Sequence, residues 1–202
     1  MNYKTKRKYN MSVRKKKAEA TEKDILRATG ELWIDHPIRD ITLEMIAHKA
    51  GVTERTILRK FGSKDELYEA AIQHDVAGIQ SIKDQAEPGN IENAIQTLMK
   101  EYTLTGLAAI RTLAVEFEFP IAAKILKKGR DSHKAWCERV FSPFLPPNTH
   151  YKYALYIGAI YAATDVNKWK LLHKDLGYSE KETASIFIIT LESIIHNMKQ
   201  DL

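Results

Sequence analysis

The chain has 202 residues, 44% of them apolar, enough to build a core in one large domain or in a small domain joined to a medium one, which excludes disorder throughout. Its longest uncharged runs, 140–151 and 153–164, fall well short of the roughly 18–20 residues that span a bilayer, and no apolar stretch follows the basic N-terminus, so neither a membrane helix nor a secretory signal is expected. The one cysteine, Cys137, excludes an internal disulfide and suits a reducing cytoplasm.

The net charge of +5 is unevenly placed. Residues 1–17 hold eight of the 31 basic groups and no acid, leaving 23 basic against 26 acidic groups in the other 185 residues. Charges this dense repel one another and lack apolar partners, which predicts a basic disordered tail over 1–17, with Met11 as an alternative start. Such a tail adds phosphate affinity by releasing counterions from DNA; a solubilising tail without a specific role is the alternative.

Breakers then divide the chain: Pro37, Gly51, Gly62, Pro88-Gly89-Asn90, Pro120, Gly129, the Pro143 to Pro147 cluster and Gly177. Between them apolar residues recur at helical spacing, as in Ile25, Leu26, Leu32 and Trp33, and no stretch alternates long enough for a strand. The expected fold class is all-α. Helices are predicted over 22–36, 43–50, 54–61, 64–85, 91–105, 107–118, 121–128, 130–141, 149–175 and 180–199. Two starts carry Ser-x-x-Glu capping boxes, Ser63 with Glu66 and Ser179 with Glu182. The division is read as the tail, a helix-turn-helix DNA-binding domain over 18–75, and a helical ligand-binding and dimerisation domain over 76–202.

Residues 41–68, ITLEMIAHKAGVTERTILRKFGSKDELY, meet the requirements of a helix-turn-helix one by one. Thr42 can cap a short helix with Ile46 and Ala47 inward. Gly51 stands where the chain must turn with positive φ, Val52 plugs the turn, and Thr53 can cap the second helix. At about 100° per residue, an inward Ile57 puts Phe61 beside it and turns Arg55 and Arg59 directly outward, flanked by Thr56 and Leu58. From 49 to 64 there are five basic residues against one acid, whereas 18–75 as a whole holds 8 basic and 12 acidic groups. A helix with that outer face suits the major groove: arginine reads guanine, threonine either base, and an apolar side chain the thymine methyl. Lys64 and the amides at the next helix start suit a phosphate. An ordinary solvated helical hairpin is the bland alternative.

At this point the sequence resembles the TetR family of repressors, through Ala50-Gly51-Val52, the helix from Thr53 to Phe61, and Ser63-Lys64-Asp65-Glu66-Leu67, within a motif covering about 22–75. The resemblance implies that Thr42, Thr53, Arg55, Thr56, Leu58, Lys60 and Lys64 lie near DNA, with Lys64 on a phosphate; the wheel adds Arg59. Leu58 stands where the family commonly has tyrosine, Lys60 where it has histidine, and Arg55 where glycine is frequent. The tyrosine's phosphate contact is therefore lost, and operator preference is expected to differ.

Beyond residue 75 no motif is diagnostic. Twelve of the eighteen aromatic residues fall between 102 and 178, and an inducer pocket is expected among them, with Phe117, Trp136, Tyr156 and Tyr161 as candidate wall residues and simple core filling as the alternative. Ala154, Gly158 and Ala162 recur at four-residue spacing and let a partner helix approach closely. With the apolar final helix they could form a four-helix bundle across a twofold axis, or be buried within one subunit; the resemblance implies the homodimer. Two recognition helices one duplex turn apart, roughly 34–36 Å, would then read an inverted repeat.

Other chemistry has little support. His133 and Cys137 are the only pair at metal-ligand spacing on a predicted helix, and two ligands do not close a zinc site. Glu116 and Glu118 point in different directions on a helix, and there is no phosphate-binding glycine loop and no nucleophile motif, so no catalytic residue, metal or cofactor is expected. The function read from the sequence is a dimeric DNA-binding regulator, a repressor released by a small molecule. A regulator without such an inducer is the alternative, and an all-α enzyme a remote one.

Overall fold

The computed structural model describes residues 11–200, apart from the side chains of Met11, Val13, Asp75, Val76, Ala77 and Ile79. Among them the secondary structure is wholly helical: α1 (Met11–Asp35), α2 (Leu43–Ala50), α3 (Glu54–Phe61), α4 (Lys64–Lys83), α5 (Ile91–Leu113), α6 (Pro120–Val140), a single 3₁₀ turn Ser142–Phe144, α7 (Tyr153–Thr164), α8 (Val166–Trp169) running into a π-helical stretch Lys170–Asp175, and α9 (Glu180–Gln200). None is long and apolar enough to cross a membrane.

The first four helices follow local rules. Thr42 accepts from the Met45 amide at 3.1 Å and Thr53 from the Thr56 amide at 3.2 Å, each covering a donor that a helix start leaves open. Gly51 takes φ 65°, a left-handed cap that any β-carbon would strain. Ser63 accepts from the Glu66 amide, but Glu66 returns to the Ser63 hydroxyl rather than its amide; at Ser179 and Glu182 the reciprocal box is complete.

Four expectations need correction. α1 starts at Met11, so residues 11–17, assigned to a disordered tail, are helical. Lys, Arg, Ala and Glu are strong helix formers, and Glu19 sits one turn beyond Lys15; residues 1–10 of that tail lie outside the described residues. The predicted spans 91–105 and 107–118 form one helix through Gly106, ending at Leu113, because a glycine there admits the Trp169 ring against the backbone. A β-carbon would lie 2.6 Å from that ring. Likewise 121–128 and 130–141 are one helix through Gly129, which costs propensity but breaks no hydrogen bond. The span 149–175 is instead broken at Asp165, whose carboxylate caps α8 through the Asn167 amide at 2.8 Å. The Thr164 carbonyl, at the end of α7, accepts the Tyr102 hydroxyl at 2.6 Å.

Two cores result. One joins Ile25, Ile41, Ile46, Ile57, Leu67 and Tyr68 of the N-terminal segment to Val115 in the turn after α5 and to Ile121 and Ala122 in the first turn of α6. The other packs α5, α6, α7 and α9 around Leu98, Trp136, Phe141, Ile160, Phe187 and Leu191. Trp33 Nε1 donates to Thr112 Oγ1 at 3.0 Å and Arg111 donates to the Ile34 carbonyl, so α1 is tied to α5. The N-terminal helices thus share side chains with the C-terminal ones.

Candidate functional site

α3 is pinned from below. Ile57 is fully buried against Ile46 and Leu67, and Val52 and Phe61 close the two ends of the contact. By the area rule, burying such a side chain is worth about 1.5–3 kcal/mol. That anchoring leaves Arg55, Leu58 and Arg59 exposed, with Leu58 41% accessible despite its apolar side chain. Among the described residues neither Arg55 nor Arg59 takes part in an ion pair. Thr53 and Thr56 lie at the start of the helix with their hydroxyls 3.0 Å apart, and Thr42 is exposed at the start of α2.

Two cations of this segment are held back. Lys60 lies on the inner flank, its ammonium 3.2 Å from Glu22 of α1. The wheel gives the reason: Lys60 follows Ile57 by three residues and shares its side of the helix. Lys49 pairs with Glu31 at 3.1 Å, and that hydrogen bond holds the Glu31 carboxyl below its usual range. Lys64 stands in the first turn of α4, its ammonium 5.7 Å above the Tyr68 ring. The outward surface therefore gathers Thr42, Thr53, Arg55, Thr56, Leu58, Arg59 and Lys64.

The second feature is a cavity of about 670 Å³, a size that takes a drug-sized molecule. Thr29, Gly30 and Trp33 of α1 and Tyr68, Ala71 and Ile72 of α4 form one side. Tyr102, Thr105, Ala109 and Leu113 of α5 and Ile125, Leu126 and His133 of α6 form the other, with Tyr161, Val166 and Asn167 closing it. Of the four expected wall residues only Tyr161 is there. Phe117 lies in the turn after α5 and is fully exposed; Trp136 and Tyr156 are buried in the C-terminal core on the other faces of α6 and α7. Aromatic content marked the core, and the wall takes two of its rings, Trp33 and Tyr68, from the N-terminal helices and two, Tyr102 and Tyr161, from the C-terminal ones.

The cavity also holds buried charge. Lys83 Nζ lies 3.4 Å from Glu101 Oε1, both side chains nearly out of contact with solvent. Burial pushes the Glu101 carboxyl above the usual range, and Lys83 opposes it. His133 is pushed down to about 3, first by burial and then by Lys83, so it is neutral at ordinary pH. The Thr164 hydroxyl gives its proton to the Ile160 carbonyl at 2.8 Å and so accepts from His133 Nε2 at 3.0 Å. Neither Lys83 nor Glu101 stood out in the sequence, yet a signal was there: Thr97, Glu101 and Thr105 recur every four residues beside Leu98 and Tyr102, placing a charge on the inward side of α5. His133 and Cys137 both reach Thr164, and among the described residues no group of three side chains suits a metal ion.

Residues 25–71 match the model of the bacterial regulatory proteins of the tetR family. No curated protein matches in sequence. A transcriptional regulator from Rhodococcus sp. Rha1 is similar at TM-score 0.67 and 14% identity, over 87% of this chain and 96% of that one. A TetR-like transcriptional regulator from Rhodococcus sp. RHA1 gives 0.56 and 16%, over 85% and 93%. NalD, the secondary repressor of the MexAB-OprM multidrug efflux pump in Pseudomonas aeruginosa, gives 0.52 and 18%, over 91% and 96%. At such identities these likenesses speak for the fold. The matched segment contains α2, α3 and the start of α4, the same residues that build the exposed basic helix. Residues 25–71 thus resemble the bacterial regulatory proteins of the tetR family, and the chain as a whole shares the fold of the transcriptional regulators named above.

Proposed function

We propose that this protein is a repressor that binds an inverted-repeat operator as a homodimer and is released by a small molecule bound in the cavity. The observation that carries the reading is that Arg55 and Arg59 are exposed on a helix anchored by a fully buried Ile57. Arg55, Arg59, Thr56 and Leu58 would enter the major groove, Thr42 and Thr53 would flank it, and Lys64 would meet a phosphate. Lys60 would join them only on leaving Glu22. NalD, named as a repressor, shares the fold and supports the sign of regulation.

Dimerisation is supported by a surface that this subunit leaves uncovered. Ala154, Leu155, Gly158 and Ala162 of α7 and Ile189 of α9 are all exposed, so the alternative of burial within one subunit does not apply to them. Release by ligand is supported by the cavity wall, because α1 and α4 line it directly and the same two helices hold α2 and α3. A ligand that displaces α4 would change the separation of the two recognition helices. Selection of fragments from a random DNA pool should return an inverted repeat with half-sites about one turn apart, bound by a species of twice the chain mass in sedimentation. Recovery of unrelated sequences, or of a single half-site by a monomer, would defeat the proposal.

A further inference from the structure

This inference rests on the reading of the cavity as a ligand site and specifies what that site takes. Trp33, Ile72, Tyr102, Ala109, Leu113 and Leu126 supply apolar wall, and among the charged groups that also line the cavity Lys83 and Glu101 form a pair nearly out of contact with solvent. One oxygen of Glu101, Oε1, faces Lys83; the other, Oε2, is buried and has no hydrogen-bond partner among the described residues. Leaving a charged acceptor unsatisfied is among the costlier arrangements a protein interior can hold. The terminal torsion of a glutamate is soft and roughly twofold, so a half-turn exchanges the oxygens and presents either one to the cavity.

We propose that the cavity binds an uncharged, largely apolar molecule bearing an O–H or N–H group, which donates to the Glu101 carboxylate. The charge balance of the wall argues for neutrality. Lys83 is already matched by Glu101; Arg130 is held by Glu116, Asp131 pairs with Lys127, and Asp165 caps α8. An anionic group placed at this end would meet a carboxylate lacking a donor, and a cationic one would leave an excess positive charge beside Lys83 in a water-poor site. Lys128, half-buried on the wall, is the one feature that favours an anion, and the test includes that case.

The test titrates the full chain with four molecules of one shape: biphenyl, 4-hydroxybiphenyl, biphenyl-4-carboxylate and 4-(aminomethyl)biphenyl as its cation. Quenching of tryptophan emission, to which Trp33 on the wall contributes, and the rise in melting temperature report binding. The hydroxyl compound should bind about tenfold more tightly than biphenyl, the size of one hydrogen bond to a charged acceptor, and both ions more weakly than either. In the Lys83→Met/Glu101→Leu double variant, biphenyl should still bind and the tenfold preference should vanish; Glu101→Gln, closer in shape, should keep part of it. Equal affinity for biphenyl and 4-hydroxybiphenyl in the wild type, or tightest binding of the carboxylate, overturns the donor proposal while leaving the cavity a ligand site. Failure of all four to bind overturns both.

Discussion

Helix α3 and the cavity wall both carry charged side chains on helices, but they hold those charges in opposite conditions. On α3, Arg55 and Arg59 stand in water, where a cation keeps its hydration until a phosphate or a guanine edge replaces it. In the cavity, Lys83, Glu101 and His133 are withdrawn from water, and each must be paired, neutral or unsatisfied. The first arrangement suits a polyanion approached from solvent. The second suits a small molecule that supplies one directional contact. The difference shows that charge count says little about a partner until burial is known.

Three variants sharpen this contrast. The largest effect is expected for Ile57→Ala: emptying the anchor beneath α3 should cost about 2–5 kcal/mol in urea unfolding and weaken DNA binding with it. If DNA binding were lost with no change in stability, Ile57 would not be acting as an anchor. Next comes Gly106→Ala, where the new methyl meets the buried Trp169 ring at 2.6 Å and should cost about 1–3 kcal/mol, with any change in DNA affinity arising only through the C-terminal core. An unchanged melting temperature would mean that Trp169 yields freely.

The smallest effect is a slope. His133 is neutral in the folded chain down to about pH 3, whereas in the unfolded chain it takes a proton near its ordinary 6.5. Its contribution is therefore complete above 6.5 and is lost as pH falls from there toward 3, at about 1.4 kcal/mol per pH unit. His133→Gln should remove that component, so the wild type should lose about 2 kcal/mol more than the variant between pH 7 and 5. Parallel losses would place His133 in contact with water.

The N-terminal helices were legible because their instructions are local. Thr42, Gly51, Thr53 and Ser63 each cap or turn the chain within a few residues, and the helical wheel alone put Ile57 inward and Arg55 and Arg59 outward. The pairing of Lys60 with Glu22 was not legible, because Glu22 lies 38 residues away on α1, a separation that no local rule spans. The C-terminal helices were misjudged for the same reason. Gly106 looked like a break and is a seat for Trp169, and the continuity of α6 through Gly129 depends on packing rather than propensity. Phe117, Trp136 and Tyr156 were chosen for being aromatic, whereas the wall depends on which faces meet across α1, α4, α5 and α6, and that is settled by tertiary packing.

The central claim is that the exposed side of α3 reads DNA, and the direct measurement is operator affinity of Arg55→Ala, Arg59→Ala and the double variant on the sequence selected from the random pool. Each single change should cost about 1–3 kcal/mol at the operator and relax the preference at one position of each half-site, with unfolding midpoints unchanged because neither side chain is paired or buried. Wild-type affinity and wild-type preference in the double variant would contradict the account.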